Sequence, residues 1–195
     1  MQTLKVNIAF SNRVEFNKAS YQKMNVTVTG TDIETVSVDL GTDNDGESIT
    51  ADHKPGAEYS VAFDNDNCVC TVEFTGILTA NTTYTVYVSG AGYRTARHTV
   101  TMTDDKVLNF WNNVKDNEIE VEEGKSSSAS VKNFLAGDIV GDNQINIYDL
   151  SAVVSYFATE ITNEADYDRY IKYDLNRDGI IDSADVAYVL VSWGK

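Results

Sequence analysis

The twelve residues DLNRDGIIDSAD, positions 174–185, set oxygen-bearing side chains at alternate positions and end on an aspartate. A blemished copy, DIVGDNQINIYD, starts at Asp138, thirty-six residues earlier. Crowded oxygens of this kind suit calcium, which takes six to eight oxygen ligands at about 2.3–2.6 Å. A twelve-residue calcium loop uses side chains at positions 1, 3, 5 and 12, a carbonyl at 7 and often a water held by 9. In the later copy these are Asp174, Asn176, Asp178, Asp185, the Ile180 carbonyl and Asp182, and Gly179 at position 6 allows the left-handed turn. Ile181 at position 8 should point inward and pin the two loops together. A merely acidic turn would not need every one of these positions filled.

The earlier copy offers Asp138, Asp142, the Gln144 carbonyl, Asn146 and Asp149 at positions 1, 5, 7, 9 and 12, with Ile145 at position 8. Val140 stands at position 3 and brings no oxygen, whereas Asn143 replaces the glycine with a residue that tolerates positive φ. Two calcium ions are expected, the one in this loop held more weakly. Asn146 and Asp182 also stand where a helix N-cap belongs, with Asp149 and Asp185 three residues on, as in a capping box.

The elements around the loops differ sharply in periodicity. From residue 3 to about 134 apolar residues alternate with polar ones: Leu4, Val6, Ile8 and Phe10, then Met24, Val26 and Val28, then Val36, Val38 and Leu40. Tyr59, Val61 and Phe63 continue the pattern, followed by Cys68, Cys70, Val72 and Phe74, then Tyr84, Val86 and Val88. Period two predicts half-buried antiparallel strands, seven or more of them, and an all-β, immunoglobulin-like sandwich over residues 1–135. Residues 112–133 are polar and serine-rich, an extension or connector. Beyond 136 the period becomes helical: Leu150, Val153, Val154 and Phe157 follow the first loop, and Val186, Val189, Leu190 and Trp193 the second. Residues 136–195 are thus a small all-α unit of two loop–helix repeats. Sixty residues bury little apolar surface, so bound metal would contribute to their stability.

The net charge of −15 argues against nucleic acid and anionic membranes as partners. No run approaches the roughly 20 apolar residues of a membrane span, and MQTLKVNIAF carries no signal-peptide pattern. The chain reads as a piece of a larger secreted protein. Cys68 and Cys70 are best taken as reduced, core-forming thiols. The acidic stretches 41–48 and 64–67 are expected as solvated turns. His53 and His98 lie in unrelated contexts and no nucleophile or phosphate-loop motif is present, so catalysis is not expected. The alternative is a carbohydrate-binding sandwich, for which Tyr59, Tyr84, Tyr87, Tyr93 and Trp111 are the candidate stacking residues.

The start at Gly137-Asp138, the two loops each followed by a helix, and Asp at position 12 resemble the dockerin module of cellulosome-type assemblies, with its two F-hand loop–helix repeats. Val140 at position 3 makes the resemblance closest to the type II group, which is commonly preceded by an Ig-like X-module. Residues 72–102 look like part of such a module. The resemblance implies a non-catalytic, calcium-dependent plug for a cohesin module of a scaffoldin or cell-surface anchoring protein, in a secreted bacterial complex for polysaccharide degradation. It places the cohesin contacts on Ile147, Tyr148, Ser151, Val154 and Ser155 in the first copy and on Ser183, Ala184, Ala187, Leu190 and Val191 in the second. Because the two copies differ at loop positions 10 and 11, one docking orientation should dominate.

Overall fold

The computed structural model describes residues 2–9, 23–40, 58–64, 69–111, 128–131 and 134–195. Phe10, His53, Cys68, the acidic stretch 41–48, residues 65–67 and most of 112–133 lie outside them.

Two five-stranded sheets are built from ten strands among these residues. They are β1 Leu4–Ala9, β2 Met24–Thr29, β3 Val36–Leu40, β4 Glu58–Asp64, β5 Val69–Thr75, β6 Thr83–Gly90, β7 Gly92–Thr101, β8 Lys106–Trp111, β9 Ser128–Val131 and β10 Ala136–Asp138. One sheet runs β4-β5-β1-β8-β9 and the other β10-β7-β6-β2-β3. Alternation decides which face is core: Leu4, Val6, Ile8, Val26, Val28, Val72, Phe74, Val86 and Val88 are fully buried, while the residues between them face outward. The second sheet is antiparallel throughout, but β1 pairs β8 in parallel, and β8 pairs β9 in parallel. This corrects the expected all-antiparallel arrangement. Side-chain period is the same in both pairings, so alternation carries no information about strand direction.

Tyr84 is wholly buried, and its hydroxyl accepts from the Thr79 backbone N–H at 2.8 Å and donates to Asp32 at 2.9 Å. Asn25, Thr27, Ser37 and Asp39 hydrogen-bond one another on the outer face of the second sheet. The Cys70 thiol is free and buried, and burial pushes its pKa to about 12, as befits an inert core residue. Of the aromatic residues considered for stacking on sugars, Tyr84 and Tyr93 are buried, Tyr59 is half-buried and Tyr87 lies under the Arg97 guanidinium. The Trp111 side chain lies outside the description.

A one-residue register shift between β6 and β7 lets both Tyr93 and Ala96 point inward. Beside Tyr93, the short strand β10 adds to the sheet, pairing Ala136 with Tyr93 and Asp138 with Gly92. The same three residues lead into the first acidic loop, so the sheet edge and the loop are one piece of chain. Beyond it come α1 Ile147–Val154, β11 Thr159–Glu160, α2 Glu164–Tyr170, β12 Ile180–Ile181 and α3 Ser183–Ser192. Buried residues of the sandwich and of this helical part form one continuous core, with Tyr93, Phe134, Leu135, Ile139, Tyr173 and Leu175 among its members.

The two repeats interlock. The Ala158 N–H donates to the Ile181 carbonyl at 2.7 Å, and the Gly194 N–H donates to the Ile145 carbonyl at 3.0 Å. Each pair is the other shifted by the repeat length. Ile145 and Ile181 are buried as expected, but each joins its loop to the chain just past the other copy's helix.

Candidate metal loops and exposed helical face

Each loop is organised by its first and last carboxylates, which accept from backbone N–H groups. In the second loop Asp174 accepts from Asp178 at 3.1 Å and Gly179 at 2.9 Å. Asp185 accepts from Leu175 at 2.6 Å, Asn176 at 3.3 Å and Asp182 at 2.8 Å. In the first loop Asp138 accepts from Gly141, Asp142 and Asn143 at 2.9, 3.1 and 3.0 Å. Asp149 accepts from Ile139, Val140 and Asn146 at 2.8, 3.0 and 2.9 Å. The last contact of each set closes a capping box, since Asn146 accepts from Tyr148 and Asp182 from Ala184. Thus the residue that ends each loop also starts the helix after it.

Backbone conformation follows the repeat. Position 6 is left-handed in both copies, at Asn143 (φ 63°) and Gly179 (φ 88°). So is position 4, at Gly141 (φ 76°) and at Arg177 (φ 63°). A side chain at that conformation costs roughly 1–2 kcal/mol, so Arg177 needs compensation. Its guanidinium is buried, donates to the Ile171 carbonyl at 2.6 Å and the Ala91 carbonyl at 2.9 Å, and lies 5.5 Å from the Tyr93 ring centre.

Asp149, Asp174 and Asp185 are fully buried and Asp138 nearly so. Among the described residues none of the four is in an ion pair. Burial raises the Asp174 pKa to about 6, against the lowering influence of Arg177. Burial raises that of Asp185 to about 7, with the Asp174 charge adding to the effect and backbone N–H donors opposing it. Asp138 is also raised, chiefly by burial. Carboxylates withdrawn from water without a cation favour the proton, and a bound divalent cation would reverse that preference. No three His, Cys, Asp or Glu side chains cluster as a cage among the described residues. The donors expected from the sequence are instead mixed: carboxylates, the Asn146 and Asn176 amides, and the carbonyls of Gln144 and Ile180. All-oxygen donors of this kind suit calcium and not zinc, which prefers nitrogen and sulfur. Asp142 and Asp178 lie at the loop surface, accepting from Gln144 and Ile180 at 2.9 and 3.0 Å. Val140 is half exposed.

The helices after the loops bury one side only. Val153 and Val189 are fully buried, with Leu150 and Val186 packed against them. Ile147, Tyr148 (69% exposed), Val154 (51%), Leu190 (53%) and Val191 stand out in solvent. Ser151, Ser155, Ser183 and Ala187 are exposed too, and Ala184 is half-buried. Phe157 and Trp193, equivalent across the repeat, are exposed just beyond the two helices. Val154, Phe157, Leu190 and Trp193 share the helical spacing of Leu150, Val153, Val186 and Val189 but stand outside the buried stripe. Adjacent residues lie about 100° apart on a helix, so Val153 and Val154 cannot both face a narrow core. Helix α2 also escaped notice, although Asn163 caps it and bonds Asp166 three residues on.

Among the described residues no helix is long and apolar enough to cross a membrane. Residues 136–190 match the family model described as Dockerin type I domain. A search of curated proteins returns no match.

Proposed function

We propose that residues 136–195 are a calcium-dependent dockerin that docks into a cohesin, and that residues 1–135 are an Ig-like X-module carrying it. The observation that carries the proposal is the pairing of two oxygen-rich loops with an apolar face left in solvent on the helices that the loops start. The match of 136–190 to the dockerin model supports it.

Asp138, Asp142, Asn146 and Asp149, with the Gln144 carbonyl, would hold one ion; Asp174, Asn176, Asp178, Asp182 and Asp185, with the Ile180 carbonyl, would hold the other. Bound calcium supplies positive charge that offsets the buried carboxylates. The chain does the rest. Asp149 and Asp185 each tie loop positions 2, 3 and 9 together, so loop closure and helix start are one event. Ile147, Tyr148, Ser151, Val154 and Ser155 of the first copy, with Ser183, Ala184, Ala187, Leu190 and Val191 of the second, form the cohesin contact. Aromatic and aliphatic anchors on a rigid face suit a tight interface. The copies present Ile147-Tyr148 against Ser183-Ala184, which favours one docking orientation.

The tyrosine corner at Tyr84, whose hydroxyl meets the backbone five residues upstream, supports the immunoglobulin-like assignment. Val140 at position 3 supports a type II-like variant. The module is non-catalytic and serves a secreted bacterial assembly of the cellulosome kind, joining a scaffoldin or an enzyme to a complex or to the cell surface. Calorimetric titration of the chain against a panel of cohesins, with calcium and with EDTA, tests the proposal. Tight binding to at least one cohesin, lost in EDTA, is expected. Binding indifferent to EDTA, or none to any cohesin of the panel, overturns it.

A further inference from the structure

If the loops take calcium as proposed, the sandwich has a hand in one of them. The Tyr93 hydroxyl, on β7, donates to the Leu175 carbonyl at 2.5 Å. The N–H of the same peptide group, that of Asn176, donates to Asp185, the last ligand of the second loop, at 3.3 Å. One peptide therefore links a sandwich side chain to a candidate metal ligand, and each hydrogen bond polarises the other. Arg177, two residues on, adds a second link by donating to Ala91 in the turn between β6 and β7. Gly92 brings the sandwich closer still: a Cβ there would sit 2.3 Å from the Lys172 carbonyl oxygen.

Among the described residues the first loop has no counterpart to these side-chain links. At its position 4 Gly141 has nothing within 4 Å of where a Cβ would be. It meets the sandwich through the backbone ladder of Ala136 and Asp138. The repeat is otherwise closely kept, down to the left-handed backbone at positions 4 and 6. An arginine in a conformation that favours glycine, held by two carbonyls and an aromatic ring, marks where the symmetry is broken.

We infer that Tyr93 and Arg177 are positioning residues through which the sandwich strengthens calcium binding at the second loop and not at the first. The closing experiment uses the full chain and calcium chloride, followed by calorimetry. Asp138→Asn silences the first loop so that the isotherm reports the second, and Asp174→Asn does the converse. Arg177→Gly removes the guanidinium while suiting the left-handed backbone, and Tyr93→Phe removes one hydroxyl only, so neither change adds backbone strain or a steric clash. A thermal melt of each variant in calcium confirms that it is folded. Each should weaken the second loop roughly tenfold, as loss of a supporting partner does at other metal sites, and leave the first unchanged. Second-loop affinity within about twofold of the parent in both variants, or equal weakening of both loops, overturns the inference. Should the unmodified chain take up no calcium, the calcium proposal itself falls, and this inference with it.

Discussion

Asp174 and Asp185, at the two ends of the second loop, are both fully buried, and the charge of Asp174 raises the proton affinity of Asp185. Whatever occupies the loop must deal with that pair.

Protons and calcium should therefore compete. Both carboxylates have folded-state pKa values above the ordinary 3.8, about 6 and about 7. A raised value means that protonation favours the fold. Without calcium, this contribution is complete below about pH 4 and is lost as pH rises through 6 and 7. In chelator, thermal melts of the helical part should shift down between pH 5 and pH 8. Calcium affinity should move the other way, weakening as pH falls through the same window. A chelated melt that is flat or rises between those values would contradict the buried, unpaired state of the pair.

Val140 stands at loop position 3, where the second loop offers the candidate ligand Asn176, and its side chain is already half in solvent. Val140→Asp should thus add an oxygen without disturbing the core. Calcium at this loop should tighten on the order of tenfold, about 1.4 kcal/mol, in titrations with the second loop silenced. An unchanged or weaker first loop would mean that position 3 is not aimed at the ion.

What was legible in the sequence was whatever depends on spacing alone. Alternate oxygens named the loops, Asn146 and Asp182 named the helix starts, and alternation of Leu4, Val6 and Ile8 named a core face. What was not legible depends on partners far away in the chain. The parallel pairing of β1 with β8 is invisible because period two looks the same in either direction. The addition of Ala136–Asp138 to β7 needs the position of Tyr93, which lies some forty residues earlier. Arg177, between the candidate ligands Asn176 and Asp178, carries no sequence signal, since nothing local reveals that its backbone is left-handed or that Ala91 lies within its reach. Val154 and Leu190 share the helical spacing of the core residues Val153 and Val189, and on short helices spacing alone does not separate such neighbours; their exposure does.

Ala158 adopts φ 63° where its repeat counterpart is Gly194 at φ 68°. Its N–H bond to Ile181 depends on backbone alone and would survive Ala158→Gly. Relief of the left-handed strain, less the extra freedom of glycine when unfolded, should stabilise by about 1 kcal/mol. The melting temperature should rise by about 2–4 °C. A fall would show that the alanine methyl contributes packing that its exposed position does not suggest.

The proposed docking face can be separated from the candidate metal sites because its best anchors are not among the candidate ligands. Ile147 and Tyr148 occupy loop positions 10 and 11, between the candidate ligands Asn146 and Asp149, and both side chains point into solvent. Tyr148 contributes only its backbone N–H to the loop, by donating to Asn146. A charge at either position therefore leaves the capping box and the carboxylates as they are, yet would have to be desolvated in any tight apolar interface. Ile147→Asp and Tyr148→Asp should each cost about 2 kcal/mol or more of cohesin affinity, roughly thirtyfold, with calcium binding unchanged. The equivalent changes Ser183→Asp and Ala184→Asp distinguish the two orientations. If the first copy alone makes the contact they should matter little, and if both orientations are used all four variants should retain substantial binding through the untouched copy. Full affinity in the Ile147 and Tyr148 variants, together with loss in the Ser183 and Ala184 variants, would move the interface to the second helix and reverse the proposed orientation.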